Sequence, residues 1–306
     1  MIACLIRELK ADVRRRDLWL KVDQFCHLDS LLICHNKKFH TLFSDSESQF
    51  LFDISASGAE VLIEVSQEQL TQTQEISVVV QRVEVNREHR LHQTSAEAVV
   101  FTSDERRCRS LVFRLHLTSG RYILIPKTAK QVNLMIRAHN ATPRIASNSV
   151  VVRDWTRKIL SKPPAYVTRV VVRSAAQLQK PEHLSCKSDD KHVCVRLTPL
   201  TFAGLSPFCR VSLGKQQVRS HVCSSTSNPD FESFAVLFFH HKLSDVVVEV
   251  LSQQLLSSVL VGSATVSLAV SHSTAEVRDV DLINRSGSAC GSVRLQIETY
   301  DDFTKV

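Results

Sequence analysis

Glycine and proline are scarce in this chain, which has only 7 Gly and 8 Pro among its 306 residues. Collagen-like and low-complexity proteins are rich in these residues, so the composition excludes both classes. No apolar stretch approaches the roughly 20 residues that a transmembrane helix needs. The first ten residues place acid and base too close together for a signal peptide. We therefore expect a cytoplasmic protein.

Paired cysteine motifs are also absent. The nine Cys residues are odd in number, and no two of them form a C-x-x-C pair. Zinc sites and disulfide frameworks need regular Cys spacing, so the sequence indicates neither, and free thiols suit a reducing compartment. We interpret these residues as small buried hydrophobic side chains.

The positive charge is not concentrated in one place. The formal net charge is +7, and residues 14–16 are the only run of three basic residues. Nucleic-acid-binding proteins often interleave basic and aromatic residues, and neither that pattern nor a known motif occurs, so we expect no nucleic-acid partner. A net positive charge of this size favours anionic surfaces such as a membrane.

The length and apolar content are sufficient for two buried cores. Residues 1–44 carry two short patterns with helical spacing, which predict a small helical remnant. Residues 45–139 contain β-branched runs bounded by turn residues, which predict an antiparallel sandwich of about eight strands. Two of these runs, 110–117 and 121–126, are predicted to form a β-hairpin around Thr118-Ser119-Gly120. The other clear runs are 50–54, 60–65, 76–85 and 132–137.

Short β-branched runs return after a break. Residues 140–165 are polar with three Pro, as in a linker, and Trp155 within them is a candidate for packing against a sandwich. Residues 180–198 are predicted to be an inserted surface loop. The fold class is therefore all-β, with two consecutive antiparallel β-sandwiches after the helical remnant. The strand runs of the second sandwich are 166–173, 208–213, 234–239, 246–250 and 260–268.

The strand order of residues 166–306 resembles a C2 domain, a module that docks proteins onto membranes or partners, often through Ca²⁺. Calcium takes roughly 6–8 oxygen ligands, several of them converging carboxylates. Where calcium-binding C2 domains carry acids, this chain has Ser206 and a loop, residues 251–258, without any acid. Asp189, Asp190 and Asp230 remain, but they do not form a converging set. We expect no calcium site here.

Several separated motifs carry a wider resemblance. Q-R-V-E-V-N-R-E-H-R-L-H at 81–92 resembles the pattern Y-K-V-E-x-N-R-x-Y-R-x-H, and G-R-Y-I-L-I-P-K-T at 120–128 resembles G-R-Y-x-I-I-P-T-T. Both patterns are typical of calpains, specifically of the subgroup whose tail is a C2 domain in place of EF-hands. The resemblance covers about 17–306. Its other motifs lie at 17–34, 134–137, 167–178, 215–221 and 228–231.

This resemblance implies a calpain-type sandwich for 45–139, a C2 domain for 166–306, and the end of a protease core for 1–44. Calpains are calcium-dependent cysteine endopeptidases, which use a Cys nucleophile, a His base and an orienting Asn. The family's Cys stands in a Gln-Gly-x-Cys-Trp motif, and none of the nine Cys here is followed by Trp. We therefore expect no catalytic residue and no cofactor in this chain.

Three functional hypotheses follow. The first is a non-catalytic regulatory or targeting part of a calpain-like protein, with a protease core or other proteins as partners. The second is a fragment, or incomplete gene model, of a calcium-dependent cysteine endopeptidase. The third is a membrane adaptor in which Lys215, Arg219 and His221 bind anionic phosphoinositide headgroups, which would add peripheral membrane association to the cytoplasmic location.

Overall fold

The computed structural model of the protein describes residues 39–40, 49–54, 59–67, 74–128, 132–137, 144–147, 163–180, 204–254, 257–271 and 276–306. Apart from two short 3-10 turns, every regular element in these ranges is a β-strand, which confirms the all-β prediction. None of the described residues belongs to a helix with the length and hydropathy required to span a bilayer. The predicted helices before residue 39, Trp155, and most of the predicted loop at 180–198 lie outside the described residues.

The first region, residues 39–147, forms ten strands in two antiparallel sheets within its described residues. One sheet has the order β1-β9-β3-β7, and the other has the order β10-β2-β8-β4-β5 with β6 paired to β4. The strands are β1 (Phe39–His40), β2 (Phe50–Ile54), β3 (Ala59–Gln67), β4 (Glu75–Val83), β5 (Val99–Thr102), β6 (Arg106–Arg107), β7 (Ser110–Leu117), β8 (Gly120–Lys127), β9 (Val132–Arg137) and β10 (Arg144–Ile145).

The two sheets of the first region enclose one apolar core. Side chains alternate between the two faces of a strand, so a period-two pattern buries every second residue. On β3 these are Val61, Ile63 and Val65, all fully buried. They pack with buried residues of β2, β4, β8 and β9, among them Phe52 and Val80. This arrangement is the first antiparallel sandwich that the pattern predicts.

The predicted hairpin at 110–126 is wrong in its pairing. The strands β7 and β8 exist, but β7 pairs with β3 in one sheet, whereas β8 pairs with β2 and β4 in the other. The turn therefore crosses from one sheet to the other. Both strands have an apolar face, and each contributes it to the shared core from its own sheet. The corner is fixed by the Tyr122 hydroxyl, which donates to the Thr118 carbonyl at 2.9 Å.

The described part of the second region, residues 163–306, forms eight strands in the order β13-β12-β15-β16-β17-β18-β11-β14. In the described residues β16 and β17 are linked at a single residue pair, so the sheet folds there into two layers around a common core. The strands are β11 (Tyr166–Ala176), β12 (Pro207–Leu213), β13 (Gln216–Arg219), β14 (Asp230–His240), β15 (Val246–Gln253), β16 (Ser258–Val266), β17 (Arg278–Ile283) and β18 (Ala289–Tyr300).

A buried thiol lies where β16 meets β17, at the bend between the two layers. The Sγ atom of Cys290 lies where a side chain at Gly262 would begin, so any Cβ at that position would collide with it. The thiol also lies 3.3 Å from the Val261 carbonyl oxygen and 3.2 Å from that of Leu282. Cys290 is 2% exposed, and its burial raises the pKa of the thiol. It is thus one of the buried hydrophobic Cys residues that the sequence predicts.

Candidate functional site

The loops that hold calcium in calcium-binding C2 domains meet at one end of the second region. The Ser206 amide donates to the Ser252 hydroxyl at 3.2 Å, and the Gln253 amide donates to the Ser206 carbonyl at 2.8 Å. The positions that the sequence singles out are therefore adjacent. They present hydroxyl and amide groups, which are poorer calcium ligands than carboxylates.

Asp230 begins β14 at the same end, where its carboxylate accepts a hydrogen bond from the Glu232 amide at 2.7 Å. Its oxygen therefore caps its own turn. Within the described ranges, no group of three His, Cys, Asp or Glu side chains is arranged to hold a metal ion. Asp189 and Asp190 lie outside those ranges, so the expectation of no calcium site stays a prediction.

The predicted basic residues follow the edge strand β13. Leu213 pairs with Gln216, so Gly214 and Lys215 form a two-residue turn, and the Gly214 φ of 60° suits glycine. Val218 packs against the C2 core, so Arg219 beside it faces outward. Lys215 is at the turn and His221 follows the strand.

These three residues therefore form a row and not a compact cluster. At about 3.3 Å per residue, the row from Lys215 to His221 is about 20 Å long. Next to it, Arg210 is paired with Arg219 across the strands, but its Nε donates to Glu249 at 2.7 Å. This hydrogen bond raises the pKa of Arg210 and neutralises its charge locally. Among the described carboxylates, none forms an ion pair with Lys215 or Arg219.

A thiol and an imidazole meet beside this row, a pair that cysteine peptidases use as nucleophile and base. The Cys223 Sγ lies 3.7 Å from the His221 Nε2 and 3.2 Å from the Asp230 carbonyl oxygen. However, burial raises the pKa of the Cys223 thiol, and the charges of Asp230 and Glu232 raise it further. A reactive cysteine needs a lowered thiol pKa, so this pair lacks the electrostatics of an activated nucleophile.

A buried charge cluster joins the two regions. Glu84, just after β4, accepts from Arg87 Nε at 2.6 Å and from Arg169 Nε of β11 at 2.7 Å. Arg169 also reaches Glu298 of β18, with 3.4 Å between Nη1 and Oε2. Burial alone would raise the Glu84 pKa, but the two guanidinium groups and their hydrogen bonds lower it to about 2.

Sequence reasoning missed this cluster as a site. Glu84 and Arg169 are separated by 85 residues, so no local pattern connects them. The one available signal was the motif at 81–92, in which Glu84, Asn86 and Arg87 match the calpain pattern. His89 in the same stretch is buried, and its ring packs edge-on against Phe239 with centroids 5.3 Å apart. Burial, together with Arg87, lowers the His89 pKa to about 4.

Comparison with known proteins identifies the second region. Residues 167–282 match the family model of the C2 domain, so a C2 domain is present there, as the sequence predicts. The match is confined to those residues, and the calpain resemblance stays a prediction.

Several solved structures are similar to this chain at low identity. A single C2 domain of plant Extended Synaptotagmin 1 is 14% identical, with a TM-score of 0.36, over 45% of this chain and 97% of that one. The calcium-bound pair of C2 domains of Extended-Synaptotagmin 2 is 13% identical, with a TM-score of 0.35, over 80% and 97%. Human GIVD cytosolic phospholipase A2 is 8% identical, with a TM-score of 0.33, over 47% and 18%. These values support no conclusion about function.

Proposed function

We propose that this chain is a non-catalytic docking module, in which the C2 domain binds an anionic membrane surface through the row on β13. One observation carries the proposal: the C2 domain at 167–282 presents Lys215, in the turn before the edge strand β13, and Arg219, at the end of that strand, without an acid partner among the described residues. Basic residues near an anionic leaflet each contribute about 1 kcal/mol of binding free energy. Cations that are already paired, such as Arg210, contribute less.

The proposed docking is independent of calcium. Ser206 and Ser252 stand at the loop positions where bound calcium would otherwise bridge carboxylates to lipid phosphates. Binding then depends on the protein's own positive charges. Docking of this kind is sensitive to salt, because exposed charges are screened over a Debye length of about 10 Å at 0.1 M salt.

The finer proposal is that the chain is the regulatory or targeting part of a calpain-like protein. The motif at 81–92 supports it, because Glu84, Asn86 and Arg87 match the calpain pattern and all contribute to the junction between the two regions. The alternative is a fragment of a calcium-dependent cysteine endopeptidase. Transcript sequencing upstream of Met1 distinguishes them, because an open frame with Gln-Gly-x-Cys-Trp would favour the enzyme.

Co-sedimentation with liposomes tests the membrane proposal. The purified chain is mixed with phosphatidylcholine vesicles, with and without phosphatidylserine and phosphoinositide, in chelator or in Ca²⁺. We expect binding to anionic vesicles alone, unchanged by Ca²⁺, and about 30-fold weaker in K215Q/R219Q. The matched control R106Q/R107Q also removes two exposed positive charges, from the first region.

Binding that does not depend on anionic lipid at low salt would contradict the membrane proposal and leave docking to a protein. The proposal that the chain is not catalytic is tested by incubating it with casein, Ca²⁺ and a thiol reductant. We expect no cleavage, and cleavage that disappears in C223S would contradict the proposal.

A further inference from the structure

The last strand of the C2 sheet has an edge that the first region covers. Among the described strands, β14 pairs with β11 alone, so its other edge would be free to pair. Natural edge strands are usually blunted by Lys or Pro, because unpaired backbone groups are a template for further strands. Residues 230–240 contain neither Lys nor Pro. Their run F-A-V-L-F-F at 234–239 is apolar throughout.

Residues 84–89, which we call the guard segment, occupy this edge. The Val85 amide donates to the Ala235 carbonyl at 2.9 Å. The Asn86 side chain donates to the Leu237 carbonyl at 2.6 Å and accepts from the Leu237 amide at 2.8 Å. One side-chain amide thus satisfies both backbone groups of Leu237, as a residue of a paired strand would.

A third hydrogen bond occupies the outer edge of β14. Gln216 of β13 donates from Nε2 to the Phe239 carbonyl at 2.8 Å. The carbonyls of Ala235, Leu237 and Phe239 are those on the outer side of β14, because backbone groups of alternate residues point the same way. All three carbonyls are therefore already hydrogen-bonded, two of them by the guard segment and the third by Gln216 of β13.

Burial and charge hold the guard segment in place. Val171 and Ala235 lie outside the C2 core cluster, yet they are only 5% and 7% exposed. The ion pair between Glu84 and Arg169 crosses the same junction. Two outer pairs, Arg82 with Glu232 at 3.7 Å and Arg173 with Glu97 at 3.6 Å, flank it and are partly exposed.

We propose that the guard segment keeps this protein monomeric by blocking β14, and that without it β14 pairs antiparallel with β14 of a second copy of the chain. A strand that pairs with itself across a two-fold axis brings identical edges together, so a second copy always offers a matching edge. The apolar, uncharged run at 234–239 favours such pairing. This inference does not depend on lipid binding.

The test uses the full chain with the double substitution N86A/R169Q. This variant removes the Asn86 hydrogen bonds to Leu237 and the Arg169 ion pair with Glu84 but leaves both carboxylates a partner: Glu84 keeps Arg87, and Glu298 keeps the Gln296 amide at 3.0 Å. Light scattering after size exclusion should show a dimer whose dissociation constant is at least about tenfold below that of the wild type. The matched control R173Q, on the same strand, removes an exposed pair and should stay monomeric.

A third substitution, A235P, tests whether the dimer forms through the outer edge of β14. A235P removes the outward amide of β14 without breaking its ladder with β11, so N86A/R169Q/A235P should return to a monomer. Hydrogen exchange gives a second readout: the Leu237 amide should exchange faster in dilute N86A/R169Q and slow down as its concentration rises.

Three results would overturn the proposal. One is a folded double variant, by circular dichroism, that dimerises no more readily than the wild type. Another is a dimer that A235P leaves intact. If the double variant precipitates, recovery of solubility with A235P supports the proposal, and precipitation that A235P does not relieve overturns it.

Discussion

Charged residues at the junction and on β13 have opposite surroundings. The side chains of Glu84 and Arg87 are 4% and 0% exposed, and each is paired within 2.6 Å. Lys215 and Arg219 are exposed and lack an acid partner among the described residues. A buried charge without a partner is strongly destabilising, so charges at the junction must be paired and serve the fold. An exposed charge has no such constraint, so those on β13 can serve a ligand.

The largest effect is expected from breaking the buried pair. R87A leaves Glu84 buried with a single cation, and the free energy of unfolding should fall by about 3–5 kcal/mol. Urea denaturation measures this change. R144A is the control, because Arg144 is half exposed and its guanidinium reaches the Arg87 carbonyl at 3.4 Å and the exposed Glu88 carboxylate at 3.9 Å. A loss below about 1 kcal/mol in R87A would show that the junction charges are not structural.

Acid should weaken the junction in two steps. The His89 pKa is lowered from 6.5 to about 4, so the unfolded chain binds this proton first and the free energy of unfolding falls as the pH drops from 6.5 to 4. The Glu84 pKa is lowered from 4.5 to about 2, so its contribution is complete above pH 4.5 and is lost between pH 4.5 and 2.

The first step is measured by urea denaturation at pH 7.5 and 4.5. From the lowered pKa of His89, we expect the free energy of unfolding of the wild type to be about 2 kcal/mol lower at pH 4.5 than at pH 7.5. H89Q should not show this difference. Facing His89 are Arg87, Glu84, His92 and the Phe239 ring. Equal pH dependence in the wild type and H89Q would assign the step to other groups.

Salt should affect the exposed charges near β13 much more than the buried charges at the junction. Between 50 mM and 500 mM NaCl, the affinity for anionic vesicles should fall by about tenfold or more, because exposed charges such as Lys215 and Arg219 are screened. The free energy of unfolding should change by less than about 1 kcal/mol, because ions do not reach the buried Glu84 pair. Co-sedimentation and urea titration at both salt concentrations provide the comparison. Salt-independent vesicle binding would contradict it.

The smallest effect is expected from an exposed pair at the same junction. Glu97 lies 3.6 Å from Arg173, and its side chain is 86% exposed. E97Q should change the free energy of unfolding by less than about 0.5 kcal/mol. The contrast with R87A isolates burial as the cause, because both substitutions break an Arg–Glu pair. A large effect of E97Q would mean that the exposed ion pairs at the edge of the junction also stabilise it.

Strand positions were largely predictable from sequence. The runs at 50–54 and 110–117 coincide with β2 and β7, because short runs rich in apolar and β-branched residues favour strands. Strand partners were not predictable. The turn at Thr118 and Ser119 is short enough for a hairpin, but it crosses between the sheets, and only the complete core determines which strand lies beside β7.

The junction was hidden for a related reason. The predicted strand at 76–85 runs past the end of β4 at Val83, so Glu84 and Val85 looked like two more strand residues. In the structure these residues leave the first sheet and turn to β14. Asn86 is polar and would be interpreted locally as a turn former. Its role depends on Leu237, 151 residues away.

Because of its position, the rate at which Cys290 is labelled can report how often the C2 sandwich opens. Its sulfur fills the place next to Gly262 and has a raised pKa, so a thiol reagent can react only after the two layers separate. In a variant whose other cysteines are replaced, the labelling rate would therefore report how often this domain opens. The same measurement with vesicles present would reveal whether docking holds the layers shut.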